Sequence, residues 1–419
     1  MAGPLSLASG ASSPTARPTV RPSIGDRLRG IDWFFVGASV IVAIWALWLF
    51  VLAQHDWLAG EVRNHVSTDF AAFWSAGRMV VSGEAAFVYD QARQGAVVRE
   101  ALGPVARAHE YLNPPPFLFV VAPLGLLGYV AAKVAWLAAT LAAFLVVARR
   151  IEPHPRIVLA ALAVPVVFLN VVSGQNGLLT AAIVGAALVL LPARPWLGGI
   201  LIGALVIKPQ LAVLFPFLLA ASGNWRAFAG AALSASALML ASLLAFGPET
   251  WAGFLHSFAE AGGTVLGDGR TGWGKVQSLF GVLRHLDVAP ALAWSIQAAW
   301  GVAIAILACL AWARPLPSDL KAAVAAVAIV LVQPYVFIYD EAMLAVAMAF
   351  WWRLARAEGA GRGEIALLLL AMLCLIATMM TRAHLGYAAA LLVGAVVAGR
   401  LVVAWPDRTS ASTSARPSS

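Results

Sequence analysis

Asp69 and Lys208 are the residues of this chain whose type and setting are most suited to chemistry. Asp69 ends the run His65-Val-Ser67-Thr68-Asp69 and stands directly before Phe70-Ala-Ala-Phe73-Trp74-Ser-Ala-Gly77-Arg78-Met-Val80-Val81. Apolar residues at 70, 73, 74, 77, 80 and 81 follow the helical period. Ser67, Thr68 and Asp69 are start signals, and Gly83 is a stop. The spacing therefore predicts an amphipathic helix lying on a membrane surface. In its first turn the helix dipole favours a charged carboxylate. At a lipid–water boundary that carboxylate could take the proton of a hydroxyl as a general base. The plain alternative for Asp69 is a helix cap. Arg78 follows at about 900° of helical rotation, so it points the opposite way and reads as a solvated or headgroup-contacting charge.

Lys208 sits in Gly203-Ala-Leu-Val-Ile-Lys208-Pro209-Gln210, between two apolar runs. A charge inside a membrane segment is costly and points to function, and the following proline breaks the helix beside it. An ammonium there suits an anionic phosphate; the alternative is snorkelling to the interface. Ser173-Gly174-Gln175-Asn176-Gly177 reads equally as a tight turn or as an amide pair for sugar hydroxyls. Tyr339-Asp340-Glu341 repeats the theme at another helix end, where the two carboxyls are expected to face a protein-lined cavity. Asp268, Arg270, Lys275 and His285 lie in a long polar segment from which they could reach a phosphate or an acceptor, and no spacing singles one out. Pro114, Pro115 and Pro116 stiffen the segment Tyr111–Phe117, since prolines fix φ and remove donors.

The elements that must carry these residues are membrane helices. Of the 419 residues, 61% are hydrophobic and 11% charged, with mean hydropathy +0.85; soluble domains carry about 25% charge. Apolar segments fall near 31–53, 117–128, 129–149, 157–172, 177–192, 196–207, 209–221, 227–246, 290–313, 320–338, 340–354, 364–381 and 385–405. With 117–128 read as a re-entrant hairpin, about twelve crossings are expected, within a range of about 10–13 transmembrane helices. The fold class is thus an all-α polytopic membrane protein spanning 31–405, with a cytoplasmic disordered tail at 1–30 and another at 406–419.

The net charge of +8 could suggest nucleic acid, but much of it lies in short loops beside apolar runs, the signature of membrane orientation. Arg17, Arg21, Arg27 and Arg29 precede the first span. Arg149, Arg150, Arg156, Arg194, Arg226, Arg314, Lys321, Arg353, Arg356 and Arg362 fall on the same, cytoplasmic side. The long segments 54–116 and 247–289 then become extracytoplasmic loops, on the side to which Asp69, Gln175, Asn176, Lys208, Tyr339 and Asp340 converge. Cys309 and Cys374 lie in apolar runs and offer neither a disulfide framework nor a metal site. No P-loop, HExxH or nucleophile-elbow motif is present.

With those residues in place, the chain resembles the polytopic glycosyltransferases of family 87. The matching stretches are Asp69 to Arg78, Gly83 to Tyr89-Asp90, Pro114-Pro115-Pro116-Phe117 with Pro123-Leu124, Ser173-Gly174-Gln175-Asn176, Gly199 to Gly203 through Lys208-Pro209, and Gly247-Pro248-Glu249-Thr250-Trp251. The resemblance implies a GT-C-like helix bundle in a plasma (inner) membrane. It implies transfer of a hexose, commonly mannose, from a polyprenyl-phosphate-linked donor to an extracytoplasmic glycolipid or glycan acceptor, with inversion and with neither metal nor cofactor. It makes Asp69 the catalytic base and brings Lys208, with Arg270 and Lys275, to the donor phosphate. Gln175, Asn176, Tyr339, Asp340 and Asn113 become candidates for holding sugar or acceptor. Asn113 stands where the family has an aromatic residue ahead of the proline pair, and Tyr339-Asp340 stand where it often has a histidine. The competing class is a secondary transporter or flippase for a lipid-linked or anionic solute, with Lys208, Asp340 and Glu341 along its path.

Overall fold

A computed structural model describes residues 33–53, 69–104, 106, 109–263, 269, 272–381 and 383–405. The two terminal tails, Ser67, Thr68, Asp268 and Arg270 lie outside the described residues. Within them every regular element is helical, apart from one antiparallel bridge between Val276 and Phe337. The chain folds as an all-α membrane protein.

Among the described residues five helices are long and apolar enough to cross a membrane: Tyr129–Ile151, Trp225–Phe246, Pro290–Ala313, Arg362–Thr381 and Leu385–Ala404. Helix Trp33–Ala53 precedes them. The single span expected at 157–172 is two helices, Arg156–Ala163 and Pro165–Ser173, bent by 67°. Pro165 lacks a backbone donor and forces Val164 into extended backbone (φ −66°, ψ 123°), as a residue before proline must be. The expected spans at 177–192, 196–207 and 209–221 are likewise short, as Gly177–Leu190, Pro195–Ile207 and Pro209–Ala221.

Length and burial divide the helices into two groups. The long ones are mostly uncovered, with 17–33% of their apolar windows buried, and they present Leu233, Leu244, Ile306, Leu373 and Val402 outward. Ser318–Leu331, one of the short ones, is buried from Ala322 through Leu331. Short or irregular backbone is tolerated at membrane depth only where protein surrounds it, which fits the buried Ser318–Leu331, while Pro195–Ile207 and Pro209–Ala221 still present Trp196, Val213 and Phe217 outward.

The helix expected over 70–81 is present with those bounds, Phe70–Val81. It does not lie on a lipid surface. Phe70 through Gly77 and Met79 are buried in protein, because Phe70, Phe73 and Trp74 supply apolar bulk while the alanines, Ser75 and Gly77 between them let neighbouring backbone approach. Its partner is the 117–128 region. That region is not a hairpin; it is one short helical run, Pro115–Leu126, with Pro115 and Pro116 in its first turn. A Cβ on Gly77 would stand 2.2 Å from the Val121 carbonyl oxygen, and Trp74 Nε1 donates to the Leu127 carbonyl at 3.0 Å. Phe73, Phe117, Tyr129 and Trp136 complete a separate aromatic core around this helix. That core fixes the position of Asp69.

Candidate active site

Asp69 occupies the position before helix Phe70–Val81, yet its side chain caps nothing. The carboxylate turns away from the helix. Oδ2 accepts a hydrogen bond from Gln175 Nε2 at 2.9 Å, and Oδ1 lies 3.2 Å from His109 Nδ1. The side chains of Asp69 and His109 are 34% and 38% exposed, so a substrate can reach the remaining lone pairs. Arg78 points to the far side and donates to the Gly125 carbonyl at 3.3 Å.

Gln175 and Asn176 stand in the turn between helices Pro165–Ser173 and Gly177–Leu190. The first helix ends on Gly174 at φ 71°, the left-handed conformation glycine adopts at helix C-termini. The two adjacent amides then diverge. Gln175 goes to Asp69, while Asn176 Oδ1 accepts from Lys208 Nζ at 3.0 Å and Asn176 Nδ2 donates to Asn113 Oδ1 at 3.0 Å. The segment is a turn, and its two amides bond to side chains of the protein.

Lys208 is buried, with 8% of its side chain exposed, so it does not snorkel to the interface. It falls between the 3-10 turns Leu205–Ile207 and Pro209–Leu211, in non-helical backbone (φ −150°, ψ 71°), since the following proline disfavours the helical conformation in its predecessor. Its ammonium pairs with the Asp340 carboxylate and lies 5.1 Å from the centre of the Tyr339 ring. Asp340 belongs to the 3-10 turn Ile338–Glu341, where its Oδ2 accepts from the Phe337 N–H. Asn170 Nδ2 donates to the Tyr339 carbonyl at 3.0 Å. A Cβ on Gly177 would fall 2.2 Å from that same carbonyl oxygen, so only glycine lets the two segments meet. Glu341 is fully buried, and neither of its carboxyl oxygens has a hydrogen-bond partner among the described residues.

The structure thus gathers Asp69, Asn113, Gln175, Asn176, Lys208, Tyr339 and Asp340 into one connected group from five separate stretches of chain. Lys275 is exposed in the turn Trp273–Lys275 and makes no hydrogen bond or ion pair with the group among the described residues. Its stretch nevertheless runs close by, because Gln277 N donates to the Val336 carbonyl at 2.7 Å beside the Val276–Phe337 bridge. Arg270 lies outside the described residues. His109 is the member that sequence reasoning missed: a lone histidine in a polar segment, within no motif, carries no signal of its partner. Among the described residues no three His, Cys, Asp or Glu side chains gather to hold a metal ion. A separate apolar cavity of about 320 Å³ lies among Phe144, Ile151, Ala161, Ala349 and Leu368, with none of this group in its wall.

Chemically, the group offers a partly open carboxylate held by two side chains, a buried ammonium, and amides between them. That combination can accept a proton from an alcohol beside a site for negative charge. Compared with known protein families, residues 111–334 match glycosyltransferase family 87, more than half of the chain and inclusive of Asn113, Gln175, Asn176 and Lys208. No curated protein matches the chain, and no solved structure does. Buried polar groups at one end of a helix bundle, together with a family match across the segment that carries most of them, make this chain a membrane glycosyltransferase, and it belongs to glycosyltransferase family 87.

Proposed function

We propose that the protein moves a hexose, mannose being the first candidate, from a polyprenyl-phosphate-linked donor to a hydroxyl of a glycolipid or glycan acceptor. The reaction takes place at the extracytoplasmic face of the plasma (inner) membrane. The observation that carries this reading is that Asp69 and Lys208 are bridged by consecutive residues, Gln175 and Asn176. A proton acceptor and a cation are thereby tied to adjacent residues of one turn.

In the proposed reaction Asp69 takes the acceptor O–H proton as that oxygen bonds to the anomeric carbon. The bond from that carbon to the phosphate oxygen breaks on the opposite face, inverting the configuration. The polyprenyl phosphate departs with the electron pair as an anion and needs no proton. Lys208 meets the charge gathering on it, as fixed electrostatic groups stabilise a transition state. Between turnovers Asp340 occupies the ammonium. His109 and Gln175 fix the rotation of the Asp69 carboxylate, so both are positioning residues. A long isoprenoid would approach from the lipid between the exposed outer helices.

The test is transfer by membranes with and without the protein, supplied with polyprenyl-phosphate-linked radiolabelled mannose, glucose or galactose. A labelled product that depends on the protein and on one of these donors is expected. Label that crosses the membrane unchanged, with no product from any donor, would overturn the reading in favour of a transporter or flippase.

A further inference from the structure

The apolar cavity of about 320 Å³ lies in the half of the bundle away from Asp69. Tyr129 belongs to the aromatic core around helix Phe70–Val81. Ile151, in the cavity wall, stands at the opposite end of the same 23-residue helix, about 33 Å away. Helix Ala342–Glu358 runs the same way, from the turn that carries Asp340 to Arg356 in the wall. The space has a cause in the sequence. The wall carries Ala148, Ala160, Ala161 and Ala349, whose side chains are too short to reach across. Helix Arg156–Ala163 also departs by 67° from Pro165–Ser173, so it cannot pack along its neighbours as one straight span would.

Such a wall suits hydrocarbon rather than water. An apolar cavity of about 150 Å³ stays dry and takes up benzene, and this one has about twice that volume. Two of its wall residues, Ile365 and Leu369, are 42% and 49% exposed. They belong to Arg362–Thr381, one of the mostly uncovered long helices. The cavity is therefore open sideways, where a chain can enter from the bilayer.

The rim decides which lipid. The acidic residues at that end, among the described residues, are each held by an arginine. Arg356 meets Glu152 at 2.8 Å, Arg353 meets Asp319 at 3.1 Å, and Arg400 lies between Glu358 and Glu364. Arg150 directly precedes the wall residue Ile151, and Arg362 comes one turn before the wall residue Ile365. Both are exposed, as is Arg149, and none of the three has an acidic partner among the described residues. Even with Arg400 shared by two carboxylates, they leave the rim positive. Arg362 stands in the first turn of its helix, where the dipole opposes a cation, so helix electrostatics do not account for it. Basic groups at a pocket between membrane helices complement the phosphate of an anionic headgroup.

We propose that this cavity is a site for one anionic phospholipid of the leaflet far from Asp69, with an acyl chain between the helices and its phosphate on Arg150 and Arg362. A zwitterionic headgroup brings its own cation to the same rim and is disfavoured. In the transferase reading the donor phosphate goes to Lys208, at the other end of the bundle, so the occupant is a second lipid. The site itself stands without that reading.

The test is native mass spectrometry of the delipidated full chain, titrated with dioleoyl phosphatidylglycerol, dioleoyl phosphatidylcholine or decaprenyl phosphate. Phosphatidylglycerol is expected to bind saturably, and at least about fivefold more tightly than phosphatidylcholine, the worth of one basic residue near an anionic surface. Arg150→Gln combined with Arg362→Gln should erase that preference at an unchanged melting temperature, since both side chains are exposed. Ala161→Phe, which fills the cavity, should abolish saturable binding of phosphatidylglycerol. Should the filled variant fail to fold, the rim variant decides alone. Equal affinity for the two phospholipids, or a preference that survives in the rim variant, overturns the proposal. So does decaprenyl phosphate that outcompetes phosphatidylglycerol and is lost in Ala161→Phe, which would make the cavity a seat for an isoprenoid tail.

Discussion

The Asp69 carboxylate is held on one side by an amide far along the chain and on the other by a ring near it. Rotation about the Asp69 side chain is therefore restricted in two directions. His109→Asn retains a side-chain N–H that can face Oδ1, and His109→Phe does not. The phenylalanine variant is expected to lose about 100-fold in kcat, the usual effect of a slightly misplaced catalytic group, with the donor KM little changed. The asparagine variant should recover most of that loss; steady-state kinetics on both checks it. Lys208 and Asp340 pose a different balance, because both are buried. Removing one member of a buried pair strands the other charge and costs about 3–5 kcal/mol. Asp340→Ala should show that loss in unfolding of the purified protein, whereas Lys208→Met combined with Asp340→Leu should restore stability and still abolish transfer. Lys208, Gln175, Asn176 and Asp340 were legible in the sequence because polar groups among apolar runs must be satisfied by something. Which of them pair was not legible, since ion pairing joins residues 132 positions apart. His109 was invisible for the same reason.

At the scale of elements, the position of Asp69 depends on the contact between helix Phe70–Val81 and the Pro115–Leu126 run. Gly77 and Gly125 allow backbone to touch backbone there. Gly77→Val forces the two apart. Overpacking of this kind typically costs about 1–3 kcal/mol, and against unyielding backbone the effect should reach the upper end. A lowered melting temperature together with reduced kcat is expected, while Gly83→Ala, where a Cβ meets nothing, should leave kcat nearly unaltered despite its positive φ. Periodicity alone located helix 70–81 correctly. It misidentified what covers the helix, because an apolar face is the same signal whether lipid or protein lies against it. The breaks have a similar history. Pro209 announced the interruption at Lys208, but Val164-Pro165 sits in an unbroken apolar run, and a hydropathy reading passed over the bend.

For the whole molecule, composition was sufficient to establish an all-helical membrane protein, and it overstated the number of full-length crossings. Apolarity does not distinguish a helix that faces lipid from one buried among other helices. Ser318–Leu331 and Gly177–Leu190 are as apolar as a span, but they are 14 residues each, short of the roughly 20 that a crossing takes. The proposed orientation, taken from the arrangement of basic residues, can be tested directly. With Cys309 and Cys374 replaced by alanine, Glu84→Cys should react with an impermeant maleimide on intact cells. Ala360→Cys, beside Arg356 and Arg362, should react only after permeabilisation. The reverse pattern would move the Asp69 group to the cytoplasmic face and exclude an extracytoplasmic acceptor.

The family match spans residues 111–334, so Asp69 and Asp340 lie outside it and their roles rest on geometry. The most direct measurement is sugar transfer by Asp69→Asn, assayed beside the wild type at equal amounts in the same membranes with the radiolabelled polyprenyl-phosphate donor that the wild type uses. Asparagine preserves the shape and can still meet Gln175 and His109, but it cannot take the acceptor's proton. Loss of the labelled product with donor binding intact is the expected result. A variant that still forms product at the wild-type rate would contradict the assignment of the proton acceptor at the centre of this account.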